Sequence, residues 1–151
     1  MNEYEEILEG FKHFAEARKV FDKYKGKWFS GNDNHVGDVG EYWAIRYYRN
    51  LGKDPKLAPK RNSSYDFEAD GKLYSVKTMS NWNKKGKGSP VKGIKERKWD
   101  FLIAVKLNEA LGVNRFCVVS IDEVCQHIQK EGTHFQWWPW LQETEFPDMG
   151  V

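Results

Sequence analysis

The chain has 151 residues, of which 40% are hydrophobic, 15% aromatic and 30% charged; this composition excludes disorder and suffices for a core without disulfide or metal staples. No apolar run approaches the roughly 18–20 residues of a membrane span, and the acidic opening M-N-E-Y-E-E-I-L-E-G does not read as a signal peptide. Net charge is only +2 but unevenly placed, since residues 84–98 hold seven Lys or Arg against one Glu while the first ten residues and the tail from Glu143 are acidic. Such a basic segment fits a polyanion such as nucleic acid about as well as it fits a solvated lysine-rich loop. Cys117 and Cys125 have no metal-ligand spacing, so two structural thiols in a reducing cytoplasm are expected.

In chain order, Tyr4, Ile7, Leu8, Phe11, Phe14, Ala15, Arg18 and Phe21 recur at helical spacing, which predicts an amphipathic helix over 3–24 packed on the core. The turn Ser30-Gly-Asn-Asp-Asn34 supplies caps for a second helix over about 35–51, with Val36, Val39, Trp43, Ala44, Tyr47 and Leu51 as its stripe and Gly52 as C-cap. Lys56 to Lys60 reads as a short edge strand, weakened by Pro59. Asp70-Gly71 is a two-residue hairpin turn that pairs Ala69 with Lys72, Phe67 with Tyr74, and Asp66 with Ser75. Period-two geometry then sets Ser64, Asp66, Glu68, Leu73, Ser75 and Lys77 on one face, and Tyr65, Phe67, Tyr74, Val76 and Thr78 on the other.

Residues 81–90 read as a loop, and a short helix is expected near 91–98. Trp99 to Leu107 is a buried strand, Arg115 to Ile121 its returning neighbour, and Ser120 or Asp122 caps a helix over about 122–130. The aromatic end, with Trp137, Trp138 and Trp140, is expected to pack against the first helix more readily than to stack on bases. The sum is one α/β domain around a mixed sheet flanked by helices: a helical extension over 1–30, a core over 35–130 and an aromatic segment over 131–151.

Asp66 and Lys77, on neighbouring strands, suit phosphodiester hydrolysis with a bound divalent ion. Hard cations such as Mg²⁺ take carboxylate, carbonyl and water oxygens; the ion polarises a phosphate and lowers the pKa of a bound water. A nearby ammonium positions that water or stabilises charge on the phosphorane-like transition state. The Val76 backbone carbonyl is a further oxygen ligand. The second acid is expected from the preceding helix as Glu41, in G-D-V-G-E-Y-W-A. Gly37 and Gly40 cost that helix roughly 1 kcal/mol each relative to Ala, so a close approach to the sheet is expected. An exposed Asp and Lys on a hairpin are also what an ordinary solvated face presents.

Over residues 35–121 the chain resembles the PD-(D/E)XK nucleases with the restriction-endonuclease-like fold. The matching residues are G-x-x-G-E ending in Glu41, Y-D-F with Asp66, Y-S-V-K-T with Lys77, and the strand W-D-F-L-I-A-V. The order helix, three-stranded meander, helix, strand is similar to the family's αβββαβ core. The resemblance implies Glu41 and Asp66 as ligands of Mg²⁺ (or Mn²⁺), and Lys77 as the lysine assisting the attacking water. Tyr65 stands where the family's proline would, and Ser75 replaces the acid two residues before the lysine. Some members with a serine there recover a carboxylate from the following helix, where Glu96 is the candidate.

The expected activity is therefore a small metal-dependent deoxyribonuclease, with RNA not excluded as substrate. Lys84, Lys85, Lys87, Lys92, Lys95, Arg97 and Lys98 would contact phosphates independently of sequence. Sequence-specific cutting would call for a homodimer or a larger assembly. The competing expectation is an inactive nucleic-acid-binding or interaction module that kept the fold after losing an acid at position 75. A weaker third is a protein partner or inhibitor using the acidic termini. The four histidines show no zinc-ligand spacing, and His35 is expected at the surface.

Overall fold

The computed structural model describes residues 2–30, 35–59, 64–80, 91–92, 98–127, 134–135, 137 and 139–149. Helix α1 spans Glu3–Tyr24 and α2 spans His35–Asn50; the strands β1 Lys56–Leu57, β2 Phe67–Ala69 and β3 Lys72–Met79 follow. Then come β4 Val91–Lys92, β5 Phe101–Leu107, β6 Val113–Ser120, α3 Ile121–His127 and β7 His134–Phe135. Five strands form one mixed sheet in the order β1-β2-β3-β5-β6, antiparallel except for the parallel β3–β5 pair, and β4 pairs with β7 separately. The chain is a single α/β domain, as composition and element order predict. Among the described residues no helix is long and apolar enough to cross a membrane.

The sheet is apolar on both faces. Phe67, Ala69, Tyr74, Ile103, Val105, Leu107 and Phe116 meet α2 through Val39, Trp43, Ala44 and Tyr48. Leu102, Ala104, Cys117 and Val119 project the opposite way, against Val124 of α3, Trp99 and Leu141. This alternation accounts for the nearly continuous apolar run of β5, whose inner residues are all covered. The hairpin turn is as the sequence requires: Asp70 and Gly71 take φ of 51° and 73°, the left-handed pair of a type I′ turn. Gly52, with φ 77°, ends α2 as expected. The Ser120 hydroxyl accepts from the Glu123 N–H at 3.2 Å and so caps α3.

Gly40 is where α2 touches β3. A Cβ at that position would lie 1.8 Å from Thr78 Oγ1 and 2.8 Å from Thr78 Cβ, so the expected close approach of helix and sheet is real. Gly40→Ala is expected to cost at least about 1–3 kcal/mol through overpacking, read by urea denaturation. Adding Thr78→Ala should restore only part of that loss, because the Cβ of residue 78 remains in the way.

Four local expectations are corrected. No residue of α1 is buried; Tyr4 is 80% exposed and Phe11 65%. α2 and the C-terminal residues Phe146 and Met149 already cover that face of the sheet, so only the end of α1 reaches it, with Phe21 5.1 Å from Phe29 and 5.4 Å from His35. The helix forms regardless, because it is 22 residues long and opens with a capping box between Asn2 and Glu5. His35 is half-buried beneath Phe14 and Phe21 rather than at the surface, with Nδ1 buried and without a hydrogen-bond partner among the described residues. Val91 and Lys92, expected to open a helix, form β4 instead. Trp137 and Trp140 pack on the α3 side of the sheet, Trp140 stacked on His127 at 4.1 Å, not against the first helix. Trp138 lies outside the described residues.

The C-terminal segment guards the outer edge of β6. Thr144 donates its N–H to the Phe116 carbonyl at 2.8 Å and accepts from the Val118 N–H through Oγ1 at 3.1 Å. These bonds occupy a strand edge that would otherwise be open to another chain.

Candidate active site

The site lies where β2 parts from β3. The ladder holds Phe67 opposite Tyr74 and Ala69 opposite Lys72, but β2 begins at Phe67, and the expected Asp66–Ser75 ladder pair does not form. Instead the Asp66 N–H donates to the Tyr74 carbonyl at 2.8 Å, and its own carbonyl accepts from the Ala58 N–H at 2.9 Å. That is a shift of one position, and it carries Tyr65 to the opposite face, against the α3-side cluster. Asp66 then does with its side chain what a strand would do with its backbone: Oδ2 accepts from the Val76 N–H at 2.6 Å. A strand residue's N–H and C=O leave along the same edge, so the Val76 carbonyl faces the Asp66 side of β3.

Three further groups converge on this carboxylate. Ser75 is buried, 5% exposed, and its hydroxyl bonds to Asp66. The half-buried Lys77 is close enough to stabilise the charge on Asp66. Glu41, from the first half of α2, is 8% exposed and close enough for the two carboxylates to repel. Burial is the main cause holding both acids above the ordinary carboxylate range. Glu41 is pushed to about 7 by desolvation, then by Asp66 and Asp38, against the opposing pull of Ser30. Asp66 is raised by desolvation, and its bond from Val76, the Lys77 charge and the Ser75 hydroxyl draw it back.

Asp66, Ser75 and Lys77 do lie together, but through the Asp66 side chain and not through the expected ladder pair, and they are half-buried or buried where a solvated face would be exposed. The α3-side cluster covers that part of the sheet, and Ser75 is inside the protein.

Two contributors were not legible beforehand. Ser30, expected in the turn that supplies caps for α2, donates its N–H to Glu41 Oε2 at 2.9 Å and its hydroxyl to Oε1 at 3.3 Å. Asp38 lies one helical turn before Glu41, is 2% exposed, and its charge is felt at Glu41. The i, i+3 spacing of Asp38 and Glu41 was the available signal. Lys98 is exposed, and Lys92 lies in β4. Lys84, Lys85, Lys87, Lys95, Arg97 and Glu96 fall outside the described residues, so the acid expected to replace position 75 is not among them.

The donor set is all oxygen: a buried and a half-buried carboxylate that repel one another, beside a backbone carbonyl. That is chemistry suited to a hard divalent cation, which would relieve the repulsion. Among the described residues no three His, Cys, Asp or Glu side chains are grouped to hold a metal ion. Any such ion would therefore draw on the carbonyl and on water for its remaining ligands.

No family model matches the chain, and no curated protein matches it. Among solved structures, one described as "The structure of a bacterial homing endonuclease: I-Ssp6803I" is similar over 71% of this chain and 78% of that one, at 18% identity and a TM-score of 0.49. A likeness at that level assigns neither chemistry nor residues to this protein.

Proposed function

We propose that the protein is a divalent-cation-dependent nuclease that hydrolyses phosphodiester bonds in DNA. The observation that carries this reading is the convergence of the buried Glu41 and the half-buried Asp66, two acids from different elements, at the point where β2 and β3 separate and Lys77 stands beside them. A protein keeps like charges together in its interior at a cost in stability, and a bound cation offsets that cost. Glu41, Asp66 and the Val76 carbonyl would hold Mg²⁺ or Mn²⁺. The ion would supply a Lewis acid for the phosphate and a water of lowered pKa.

The protein's own groups do the rest. Ser30 orients Glu41 through both carboxylate oxygens, and the Val76 N–H and Ser75 orient Asp66. The Lys77 ammonium positions the attacking water and balances charge gathering on the phosphate. The basic residues Lys84, Lys85, Lys87, Lys92, Lys95, Arg97 and Lys98 contact the backbone without reading bases. The direct test is incubation of plasmid, single-stranded DNA and RNA with Mg²⁺, Mn²⁺ or EDTA. Cutting of DNA that EDTA abolishes is the expected result. Replacing Lys84, Lys85 and Lys87 together by Ala should reduce the dependence of log affinity on log salt by about 3, measured by fluorescence anisotropy.

A second reading is favoured by one observation, the buried Ser75 with no third carboxylate grouped beside it among the described residues. In that reading the module binds nucleic acid and does not cut. Salt-dependent DNA binding with no cleavage under any divalent ion would establish it.

A further inference from the structure

We propose that α1 is a self-association element that pairs antiparallel with α1 of a second copy of this chain. Tyr4, Ile7, Phe11, Phe14, Arg18 and Phe21 alternate at three- and four-residue spacing, the seam of a helix that packs along its length on another helix. Yet Tyr4, Ile7, Leu8, Phe11 and Phe14 are 53–80% exposed. With about 200 Å² per aromatic side chain, the uncovered apolar surface is on the order of 600 Å². Soluble monomers rarely leave more than a few hundred Å² of contiguous apolar surface open. Doubled across two copies, about 1,200 Å² reaches the lower end of specific interfaces.

Charge names the partner and its direction. The first ten residues carry Glu3, Glu5, Glu6 and Glu9 and no Lys or Arg; residues 11–25 carry Lys12, Arg18, Lys19, Lys23 and Lys25 against Glu16 and Asp22. An acidic half followed by a basic half is complementary to itself only when reversed. The seam agrees. A register that sets Phe11 against Phe14 of the second copy also sets Tyr4 against its Phe21 and Ile7 against its Arg18.

The junction of α1 with the domain has room for that partner. A cavity of about 140 Å³ between α1 and α2 is lined by Phe14, Arg18, Phe21, His35 and Leu111. Another, of about 390 Å³, is lined by Val20, Tyr24, Trp28 and Tyr42. Both sit at the C-terminal half of α1, where the reversed register delivers the partner's Tyr4 and Ile7.

The test is sedimentation velocity of the full chain from 1 to 200 µM at about 150 mM salt, near the physiological screening length. Wild type is expected to form a dimer. Ile7→Glu with Phe11→Glu should leave it monomeric at every concentration and still folded, since neither side chain is buried in the single chain, with a melting temperature that, unlike that of wild type, does not rise with protein concentration. Direction is tested by charge exchange, with Glu5, Glu6 and Glu9 changed to Lys in one variant and Lys12, Lys19 and Lys23 changed to Glu in another. Each alone should dissociate at least tenfold more readily, and their equimolar mixture should recover a dimer. A wild type that stays monomeric to 200 µM, or one that binds anionic lipid vesicles through α1 instead, overturns the proposal. So does a dimer that survives Ile7→Glu with Phe11→Glu, or a mixture that fails to pair.

Discussion

Asp66→Asn is expected to lower divalent-dependent DNA cleavage by at least roughly 100-fold while leaving the protein folded. Asparagine is the informative replacement, because its amide oxygen can still accept the Val76 N–H that Asp66 Oδ2 accepts at 2.6 Å. Alanine would leave that N–H without its acceptor, at a cost of about 1–3 kcal/mol, and lost activity could then be lost fold. Lys77→Met keeps most of the side-chain volume, removes the ammonium and should reduce turnover by a comparable factor. The two should differ in metal response: Asp66→Asn should weaken the dependence on cation concentration, whereas Lys77→Met should leave it in place. Rates measured on plasmid across a Mg²⁺ or Mn²⁺ titration separate them. Metal-dependent cutting that survives both substitutions unchanged would remove the proposed site.

Glu41→Gln is expected to make the protein more stable above pH 7 in the absence of divalent ions. Glu41 is raised from its ordinary 4.5 to about 7, mainly by burial. Between those values the unfolded chain has released the proton and the folded protein still holds it. Stability from this group is therefore greatest below about pH 4.5, falls as pH rises, and levels off above about 7. The whole drop corresponds to about 3 kcal/mol. Glutamine cannot ionise and keeps an oxygen for Ser30, so the difference between the two proteins should be small at pH 4.5 and reach about 1–3 kcal/mol at pH 8. Asp66 is raised in the same direction, so Asp66→Asn should follow the same trend. Adding Mg²⁺ or Mn²⁺ should raise the melting temperature of wild type more at pH 8 than at pH 5, since the ion competes with the proton. Neither substituted protein should show that gain. A Glu41→Gln protein less stable than wild type at both pH values would show that the carboxylate is a structural anchor. Stability lost to hold a charged site is the trade such sites impose.

How much of this was readable beforehand differs from element to element. The hairpin was, because Asp70-Gly71 admits few backbone conformations and an alternating pattern on each side leaves one register that buries Phe67 and Tyr74. α2 was readable from its stripe and Gly52, and β5 from its apolar run. Glu41, Asp66 and Lys77 could be nominated from residue type and spacing, with the resemblance joining them. α1 shows the limit. Its periodicity predicts a helix and a covered stripe but not what covers it, and the space on the sheet is taken by α2, Phe146 and Met149.

What the sequence determines alone is local: which segments are helix or strand, where the chain turns, and which side chains share a face. Those choices depend on backbone sterics and on neighbours two to four residues away. The tertiary structure decides the rest. It slips Asp66 by one position, so that a carboxylate replaces a ladder acceptor and Tyr65 changes face. It buries Ser75, brings Ser30 and Asp38 to Glu41, and leaves α1 uncovered. Each depends on groups distant in the chain competing for the same space and the same hydrogen bonds, which no spacing records.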